Sequence, residues 1–260
     1  MTTKINNDGV TARMVGGGPP LVLLHSLLSD SASFDAVASR LAERFTVIVP
    51  DLPGFGDSPA VEGGLTEVAD RMAAFVRSLA TDGKAVVFGN GYGAFVALQM
   101  AIRHSDSVTA LILAGCGARF SEPGRAAFRN MAAAARTKGL ATVADTAMAR
   151  LFASDFQAAQ PELMADRRAA FLRTDIAVFE RACRSLATLD LSQEVAALTM
   201  PLLVMVGDQD AATPPAMATE LAGLVPHADL RILPGCAHVP PLQAPDLVIK
   251  SVVRFLDRGL

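Results

Sequence analysis

The feature that most constrains the fold is an apolar segment that ends in small residues and continues directly into a helical pattern. The segment is Val86-Val87-Phe88-Gly89-Asn90-Gly91-Tyr92-Gly93-Ala94, and residues 95–104 have helical periodicity. A short buried strand that enters a helix through glycines is typical of a doubly wound sheet, where the turn presents one residue at the carboxyl edge. Gly91 stands at the centre of this turn.

Two motifs compete for the turn. The first is the dinucleotide-binding fingerprint, which Gly89, Gly91 and Ala94 fit in spacing; its glycines let a pyrophosphate approach a helix N-terminus. That fingerprint requires an acidic residue about 20 positions further on, at the end of the next strand. The next predicted strand, residues 108–114, is followed by a Gly-Cys pair. The sequence therefore argues against a nucleotide site.

The second motif is the nucleophile elbow G-x-S-x-G, in which two glycines allow a sharp turn from strand to helix and expose the central serine. Gly89 and Gly93 match the two glycines, and Gly91 occupies the place of the serine. The motif is thus complete in its backbone requirements and lacks its nucleophile. Its relevance depends on the other catalytic groups of the chain.

Strands and helices alternate on both sides of the turn, which favours parallel pairing in an α/β sheet. An N-terminal hairpin is predicted around Asn7-Asp8-Gly9, strands at residues 21–24, 45–49, 108–114, 201–207 and 229–233, and helices at residues 34–45, 65–80, 95–104, 215–224 and 246–256. Residues 119–198 contain helical patterns and no strand candidate. We expect a core of residues 1–118 and 199–260, with residues 119–198 inserted as a helical cap over the carboxyl edge.

Polar residues follow the two strands after this insertion. Asp208 and Asp210 lie just past one strand, and His238 lies just past the next. In a parallel sheet both loops open on the edge where the Gly91 turn lies. A carboxylate that orients an imidazole makes a general base suited to neutral pH, and either aspartate could supply it.

These motifs resemble the α/β-hydrolase fold, and within it the 3-oxoadipate enol-lactonase group and similar small esterases. The resemblance covers nearly the whole chain and is weakest across the insertion. It implies that Asp210 is the triad acid, that His238 is the base and that Gly91 replaces the nucleophilic serine. It also implies that the backbone N–H groups of Leu27 and Tyr92 form the oxyanion hole.

Substrate contacts are expected from Ser26, Asn90, Arg119 and Arg125, with the arginines meeting a substrate carboxylate at the mouth of the insertion. Ser26 departs from the His-Gly pair that the family often has before the first oxyanion donor, although serine is also familiar there from the enol-lactonase group. Ser26 is also the one nearby hydroxyl that could replace the missing nucleophile, provided that its backbone turns inward.

Composition excludes several classes of function. The net charge is −3, the calculated pI is about 5.8, and no run of Lys and Arg suggests a surface for nucleic acid. No apolar stretch reaches the roughly 18 residues of a membrane span, and no signal peptide is evident, so a cytoplasmic enzyme is expected. The three cysteines have no metal-ligand spacing, and we expect reduced thiols, no metal and no cofactor.

Three interpretations remain open. The favoured one is a cofactor-free hydrolase, or a related acid-base enzyme, that acts on a small activated carbonyl compound such as an enol-lactone, ester or enamine. It would use His238, Asp210 and the oxyanion hole without a serine nucleophile. The chain also resembles in outline the aminoacrylate hydrolases, which have alanine at the nucleophile position, and this resemblance implies that function without the serine is feasible. The second is a serine esterase or lactonase in which glycine was introduced for serine at position 91. The third is a non-catalytic ligand-binding protein, which the retained acid and base argue against.

Overall fold

The computed structural model describes residues 2–79 and 82–259. Its strands are β1 (Thr3–Asn7), β2 (Val10–Gly16), β3 (Pro20–Leu24), β4 (Thr46–Pro50), β5 (Ala85–Asn90), β6 (Val108–Ala114), β7 (Leu202–Gly207) and β8 (Asp229–Leu233). Within the described residues they form one sheet with the order β1-β2-β4-β3-β5-β6-β7-β8. The pairs β1–β2 and β2–β4 are antiparallel and the remaining pairs are parallel. The predicted α/β class with a mostly parallel sheet is confirmed.

The N-terminal hairpin forms where the sequence predicts it. Asp8 and Gly9 both have positive φ, 49° and 72°, which is the requirement of the tight turn that matches the twist of two antiparallel strands. Among the described residues, Asp8 is the one residue other than glycine that has a positive φ. Aspartate tolerates this backbone region better than most residues with a side chain.

Helices cover both faces of the sheet. They are α1 (Asp35–Leu41), α2 (Leu65–Leu79), α3 (Tyr92–Arg103), α4 (Glu122–Lys138), α5 (Ala141–Leu151), α6 (Ser154–Ala159), α7 (Pro161–Leu172), α8 (Ile176–Thr188), α9 (Pro215–Leu224), α10 (Pro240–Gln243) and α11 (Pro245–Gly259). On β3, Leu21 and Leu23 pack into the cluster with α1 and α11, whereas Val22 and Leu24 pack into the cluster with α2 and α3. This alternation buries both faces, as a parallel sheet requires.

Some predicted boundaries are wrong. The helix predicted at residues 34–45 is a 3₁₀ turn, Ser31–Phe34, followed by α1, which ends at Leu41. The chain then turns closely over Gly16, where a β-carbon would collide with the carbonyl oxygens of Ala42 and Phe45. Helix α3 begins three residues earlier than predicted because a single residue makes the turn from β5. The predicted end of α2, Ala80, lies outside the described residues.

The segment between β6 and β7 contains helices α4 to α8. Helix α4 packs against α8 and α5, and α5 packs against α7. The strand pairing described within this segment is one isolated bridge between Arg119 and Asp190. No helix in the described part of the chain is long and apolar enough to cross a membrane.

Candidate active site

The turn between β5 and α3 has the geometry of a nucleophile elbow. Gly91 has φ 54° and ψ −120°, a conformation that residues with a side chain rarely adopt, and its N–H donates to the carbonyl of Ala114 at 2.9 Å. A β-carbon at Gly89 would collide with the backbone of Gly93, and one at Gly93 would collide with the backbone of Leu24. All three glycines are therefore required by the close approach of backbone segments or by backbone conformation.

His238 and Asp210 form a buried pair at the same edge of the sheet. His238 Nδ1 lies 2.9 Å from Asp210 Oδ2, and both residues are buried. The carboxylate accepts the proton on Nδ1, which leaves Nε2 of the neutral ring as a hydrogen-bond acceptor. This free nitrogen lies 2.8 Å from the position that a β-carbon of residue 91 would occupy. The free nitrogen of His238 therefore faces the place where a side chain at position 91 would stand.

The surroundings of Asp210 keep it ionised. Its Oδ1 accepts the backbone N–H groups of Ala212 at 2.8 Å and Thr213 at 2.9 Å, and its Oδ2 accepts the Thr213 hydroxyl at 2.8 Å. Burial by itself raises the pKa of Asp210, but the nearby His238 and the hydrogen bonds from His238 and Thr213 outweigh burial, so the pKa is lowered. Asp208 is exposed and instead accepts the backbone N–H of Gly235 at 2.8 Å.

Gly115 is a site residue that the sequence analysis does not identify. It follows β6 with φ 63°, and a β-carbon there would lie 2.9 Å from His238 Nδ1 and 3.3 Å from Asp210 Oδ2. Any larger residue would push against the pair itself. The Gly-Cys pair that argues against a nucleotide site thus contains the glycine that makes room for the acid and the base.

Asn90 holds the histidine loop, and it is not among the residues that line the cavity. Its fully buried side-chain amide donates to the carbonyls of Ala114 at 3.2 Å and His238 at 2.9 Å. The backbone N–H of His238 in turn donates to the carbonyl of Leu151, at the end of α5, at 3.0 Å. The geometry therefore favours a positioning role for Asn90 over the expected substrate contact.

A cavity of about 300 Å³ lies between the sheet edge and helices α4 and α5. Its lining is mostly apolar and includes Gly91, His238, Leu27, Tyr92, Phe95, Phe120, Phe128, Met131, Ala147 and Met217. The backbone N–H groups of Leu27 and Tyr92 donate to no protein acceptor within residues 2–79 and 82–259. Two free donors beside the base match the requirement for stabilising a developing oxyanion.

The loop that carries Leu27 is held from two sides. The His25 ring donates from Nδ1 to the carbonyl of Ser26 at 3.0 Å and accepts the Leu52 N–H at Nε2, 3.1 Å away, so both ring nitrogens hold local backbone. Burial lowers its pKa, which keeps the ring neutral. On the other side, the buried Arg167 of α7 pairs with Asp30 at 2.6 Å.

The arginines expected at the cavity are engaged elsewhere. Arg119 pairs with Glu220 at 2.8 Å, and Arg125 donates to the carbonyl of Phe120 at 3.0 Å. Both line a separate surface groove rather than the cavity. Arg150 of α5 lines the cavity and pairs with no acceptor in the described residues. Arg150 shares one face of α5 with the lining residues Thr146 and Ala147. The sequence shows this spacing, but it does not show which face of the helix lies over the cavity.

The three cysteines are buried and free, in agreement with the prediction of reduced thiols. Cys236 lies two residues before His238, yet it is not part of the cavity lining. Burial raises the pKa of its thiol to about 11, so the thiolate that a nucleophile requires is absent at neutral pH.

Known proteins share both this fold and this length of chain. The chain is 28% identical over 261 residues to the pimeloyl-[acyl-carrier protein] methyl ester esterase of Vibrio vulnificus, covering 94% of this chain and 96% of that protein. A solved structure of a thermophilic esterase from Thermogutta terrifontis superposes with a TM-score of 0.88 at 28% identity, covering 100% of this chain and 99% of that chain. The enol-lactonase of Burkholderia xenovorans superposes with a TM-score of 0.90 at 27% identity, covering 98% of this chain and 100% of that chain.

The resemblance inferred from the motifs is confirmed, and these relatives are hydrolase enzymes. Residues 21–251 match the sequence model of the alpha/beta hydrolase family, which is most of the chain. The Gly91 turn, Asp210 and His238 all fall within the matched residues. The chain therefore belongs to the alpha/beta hydrolase family.

Proposed function

We propose that the protein is a cofactor-free hydrolase of a small activated carbonyl compound, such as an enol-lactone, an ester or an enamine. The observation that carries the proposal is the buried His238–Asp210 pair, whose free Nε2 lies 2.8 Å from the residue 91 side-chain position. A binding protein has no use for a base oriented in this way.

His238 Nε2 removes a proton from the hydroxyl group that attacks the carbonyl carbon, and Asp210 stabilises the imidazolium that forms. The N–H groups of Leu27 and Tyr92 hold the oxyanion. His238 then returns the proton to the leaving atom. Because residue 91 has no side chain, the attacking hydroxyl comes from another source, of which water is the simplest.

The rate acceleration that is lost with the serine nucleophile is so large that the substrate must be an activated one. Removing the serine of a working triad lowers kcat by about 10⁶-fold, roughly 8 kcal/mol, and leaves roughly 10³ to 10⁴ over the uncatalysed reaction. That residual acceleration suffices only for a carbonyl compound with a good leaving group or a strained ring. Enol-lactones and enamines meet this condition.

The cavity supports a small and mostly apolar substrate with one anionic group. Its lining is mostly apolar, with aromatic, methionine and alanine side chains, and it includes the exposed Arg150, which has no partner in the described chain. Arg150 takes the role that the sequence analysis gave to Arg119 and Arg125. We further propose that residues 119–198, which contribute Arg150, act as the cap that sets specificity.

The test is hydrolysis of a panel of small lactones, esters and enamines by the protein and by His238→Ala. We expect turnover of at least one compound and a loss of at least 100-fold in kcat/KM in the variant. His227→Ala is the matched control, because His227 is an exposed histidine that bonds to the carbonyl of Met200 and is not among the cavity-lining residues. Equal rates for the protein and His238→Ala would contradict the proposal.

A further inference from the structure

The side chain of Ser26 occupies the space that a side chain at residue 91 would fill. A β-carbon built on Gly91 would overlap Ser26 Oγ, and it would lie 3.0 Å from Ser26 Cβ and 2.8 Å from His238 Nε2. The hydroxyl of Ser26 and the free nitrogen of the base therefore border the same small volume. Only glycine at position 91 leaves that volume open to Ser26.

We propose that Ser26 is the nucleophile of this enzyme and supplies, from the loop after β3, the hydroxyl that is missing after β5. The proposal rests on the proposed function, since it uses the same base and the same oxyanion donors. It differs in one step, because the first attack on the carbonyl comes from a side chain and not from water.

The hydroxyl of Ser26 is free to act. Ser26 is only 2% exposed, it lines the cavity, and its Oγ has no hydrogen-bond partner in the described chain. Buried hydroxyls are usually paired. Three other buried serines follow that rule: Ser33 donates to the carbonyl of Asp30 at 2.7 Å, Ser107 donates to the carbonyl of His104 at 2.8 Å, and Ser58 accepts the N–H of Thr11 at 2.9 Å. The buried hydroxyl of Ser29 is unpaired, but Ser29 is not among the cavity-lining residues. An unpaired hydroxyl beside a base is therefore available for chemistry.

The position of Ser26 preserves the relation between a nucleophile and its oxyanion donor. In the elbow motif one donor is the N–H of the residue directly after the nucleophile. Tyr92 follows position 91, and Leu27 follows Ser26 in the same way. Each candidate oxyanion donor therefore directly follows one of the two positions that compete for the same volume. A tetrahedral intermediate on Ser26 would find the N–H of Leu27 one residue away, just as one on residue 91 would find that of Tyr92.

The loop is rigid enough to hold a nucleophile. The carbonyl of Ser26 accepts the His25 ring N–H at 3.0 Å and the Ser29 N–H at 3.2 Å. Ser26 Oγ and His238 Nε2 are not hydrogen-bonded to each other in the structure. Rotation about the Ser26 Cα–Cβ bond is the movement that closes this pair, and catalytic hydrogen bonds commonly tighten only when substrate binds.

The reaction on an ester or lactone proceeds in two balanced steps. Ser26 Oγ forms a bond to the carbonyl carbon while its proton moves to His238 Nε2, and the carbonyl electron pair moves onto the oxygen held by Leu27 and Tyr92. The C–O bond then breaks, His238 protonates the leaving oxygen, and the acyl group stays on Ser26. Water, deprotonated by His238, attacks the acyl-enzyme and releases the acid and the free serine.

The first experiment uses diisopropyl fluorophosphate, in which serine oxygen bonds to phosphorus, fluoride leaves and His238 takes the proton. We expect one adduct per chain by intact mass, located at Ser26 by peptide fragmentation. The adduct should be absent in Ser26→Ala and form at least 100-fold more slowly in His238→Ala. Ser29→Ala is the matched control. Ser29 is a buried serine of the same loop, and its hydroxyl also lacks a partner, but it is not among the cavity-lining residues. The Ser29→Ala protein should therefore be labelled at Ser26 at an unchanged rate.

The second experiment measures hydrolysis of p-nitrophenyl acetate and of the substrate panel by the same variants. Loss of at least 100-fold in kcat in Ser26→Ala, with partial recovery in Ser26→Cys, supports the proposal. An unlabelled protein, or labelling that persists in Ser26→Ala, overturns it. Ser26→Ala that keeps full activity while His238→Ala loses it also overturns it and leaves direct attack by water standing. An adduct on Ser26 in a protein that hydrolyses nothing supports the nucleophile and contradicts the proposed function.

Discussion

Replacing Gly91 by alanine tests whether Ser26 and residue 91 compete for one volume. The new methyl group meets two penalties. The backbone at φ 54° and ψ −120° costs about 1–3 kcal/mol for a residue with a β-carbon. The methyl also overlaps Ser26 Oγ and lies 2.8 Å from His238 Nε2, and overpacking of a filled site costs about 1–3 kcal/mol more.

A second glycine separates the two penalties. Gly139, after α4, has φ 82°, and a β-carbon there would meet no atom within 4 Å. Gly139→Ala therefore carries backbone strain and no collision. We expect Gly91→Ala to lower the free energy of unfolding by about 1–3 kcal/mol more than Gly139→Ala does, which is the overpacking contribution alone.

The assay is urea denaturation at pH 7 of Gly91→Ala, Ser26→Gly and the double variant. Ser26→Gly removes two of the three atoms that crowd the new methyl and leaves His238 Nε2, so the double variant should be more stable than additivity predicts by about 1 kcal/mol or more. The slopes of the unfolding curves should agree among the four proteins, as two-state comparison requires. Additivity within about 0.5 kcal/mol would refute the shared volume and, with it, the geometric basis for Ser26 as nucleophile.

Three further variants test the room around His238, the role of Asp210 and the ion pair that holds the Leu27 loop. Gly115→Ala should displace the His238 ring and lower kcat by about 10²-fold in a folded protein, as measured by steady-state kinetics together with circular dichroism. Asp210→Asn should lower kcat by up to about 10⁴-fold through loss of the Nδ1–H tautomer. The pKa of Asp210 is lower in the folded than in the unfolded protein, so ionised Asp210 stabilises the fold above the unfolded-state pKa of about 4. This stabilisation is lost as the pH falls through the folded-state pKa. The stability advantage of the unchanged protein over Asp210→Asn should therefore shrink in denaturation series at decreasing pH. Asp30→Asn should lower the free energy of unfolding measured in urea. The loss should be smaller than the about 3–5 kcal/mol of a fully buried pair, because Arg167 keeps its second partner, Asp166. Unchanged stability would show that the contact between Asp30 and Arg167 is not formed in solution.

Several features of the fold follow from local patterns. Alternating apolar strands and amphipathic helices predict a parallel sheet, and residues just after strand ends must share its carboxyl edge. The order of strands and loops along the chain therefore suffices to place the Gly91 turn, Asp210 and His238 together. The hairpin at Asp8 and Gly9 is equally local, because its turn depends only on two residues that accept positive φ.

Helix boundaries and the roles of charged side chains were less predictable. Periodicity extended the first helix to residue 45, but α1 ends at Leu41, where the chain turns over Gly16. Arg125 and Arg150 both lie on helices between β6 and β7, and nothing in their neighbours' sequence tells which one finds a partner. The partners come from other segments, so only the assembled chain assigns Arg150 to the cavity.

The motifs along the chain were enough to predict the family and the mostly parallel sheet, and to propose Asp210 and His238 as acid and base, because each depends on spacing along a strand or on the end of one. The packing of distant segments then shows that Gly115 leaves room for that pair and that Ser26 fills the space left by Gly91. These two facts depend on which atoms of distant segments occupy the same few cubic ångströms. A pattern of residue types along one chain carries no information about such shared volume until the strands are packed side by side.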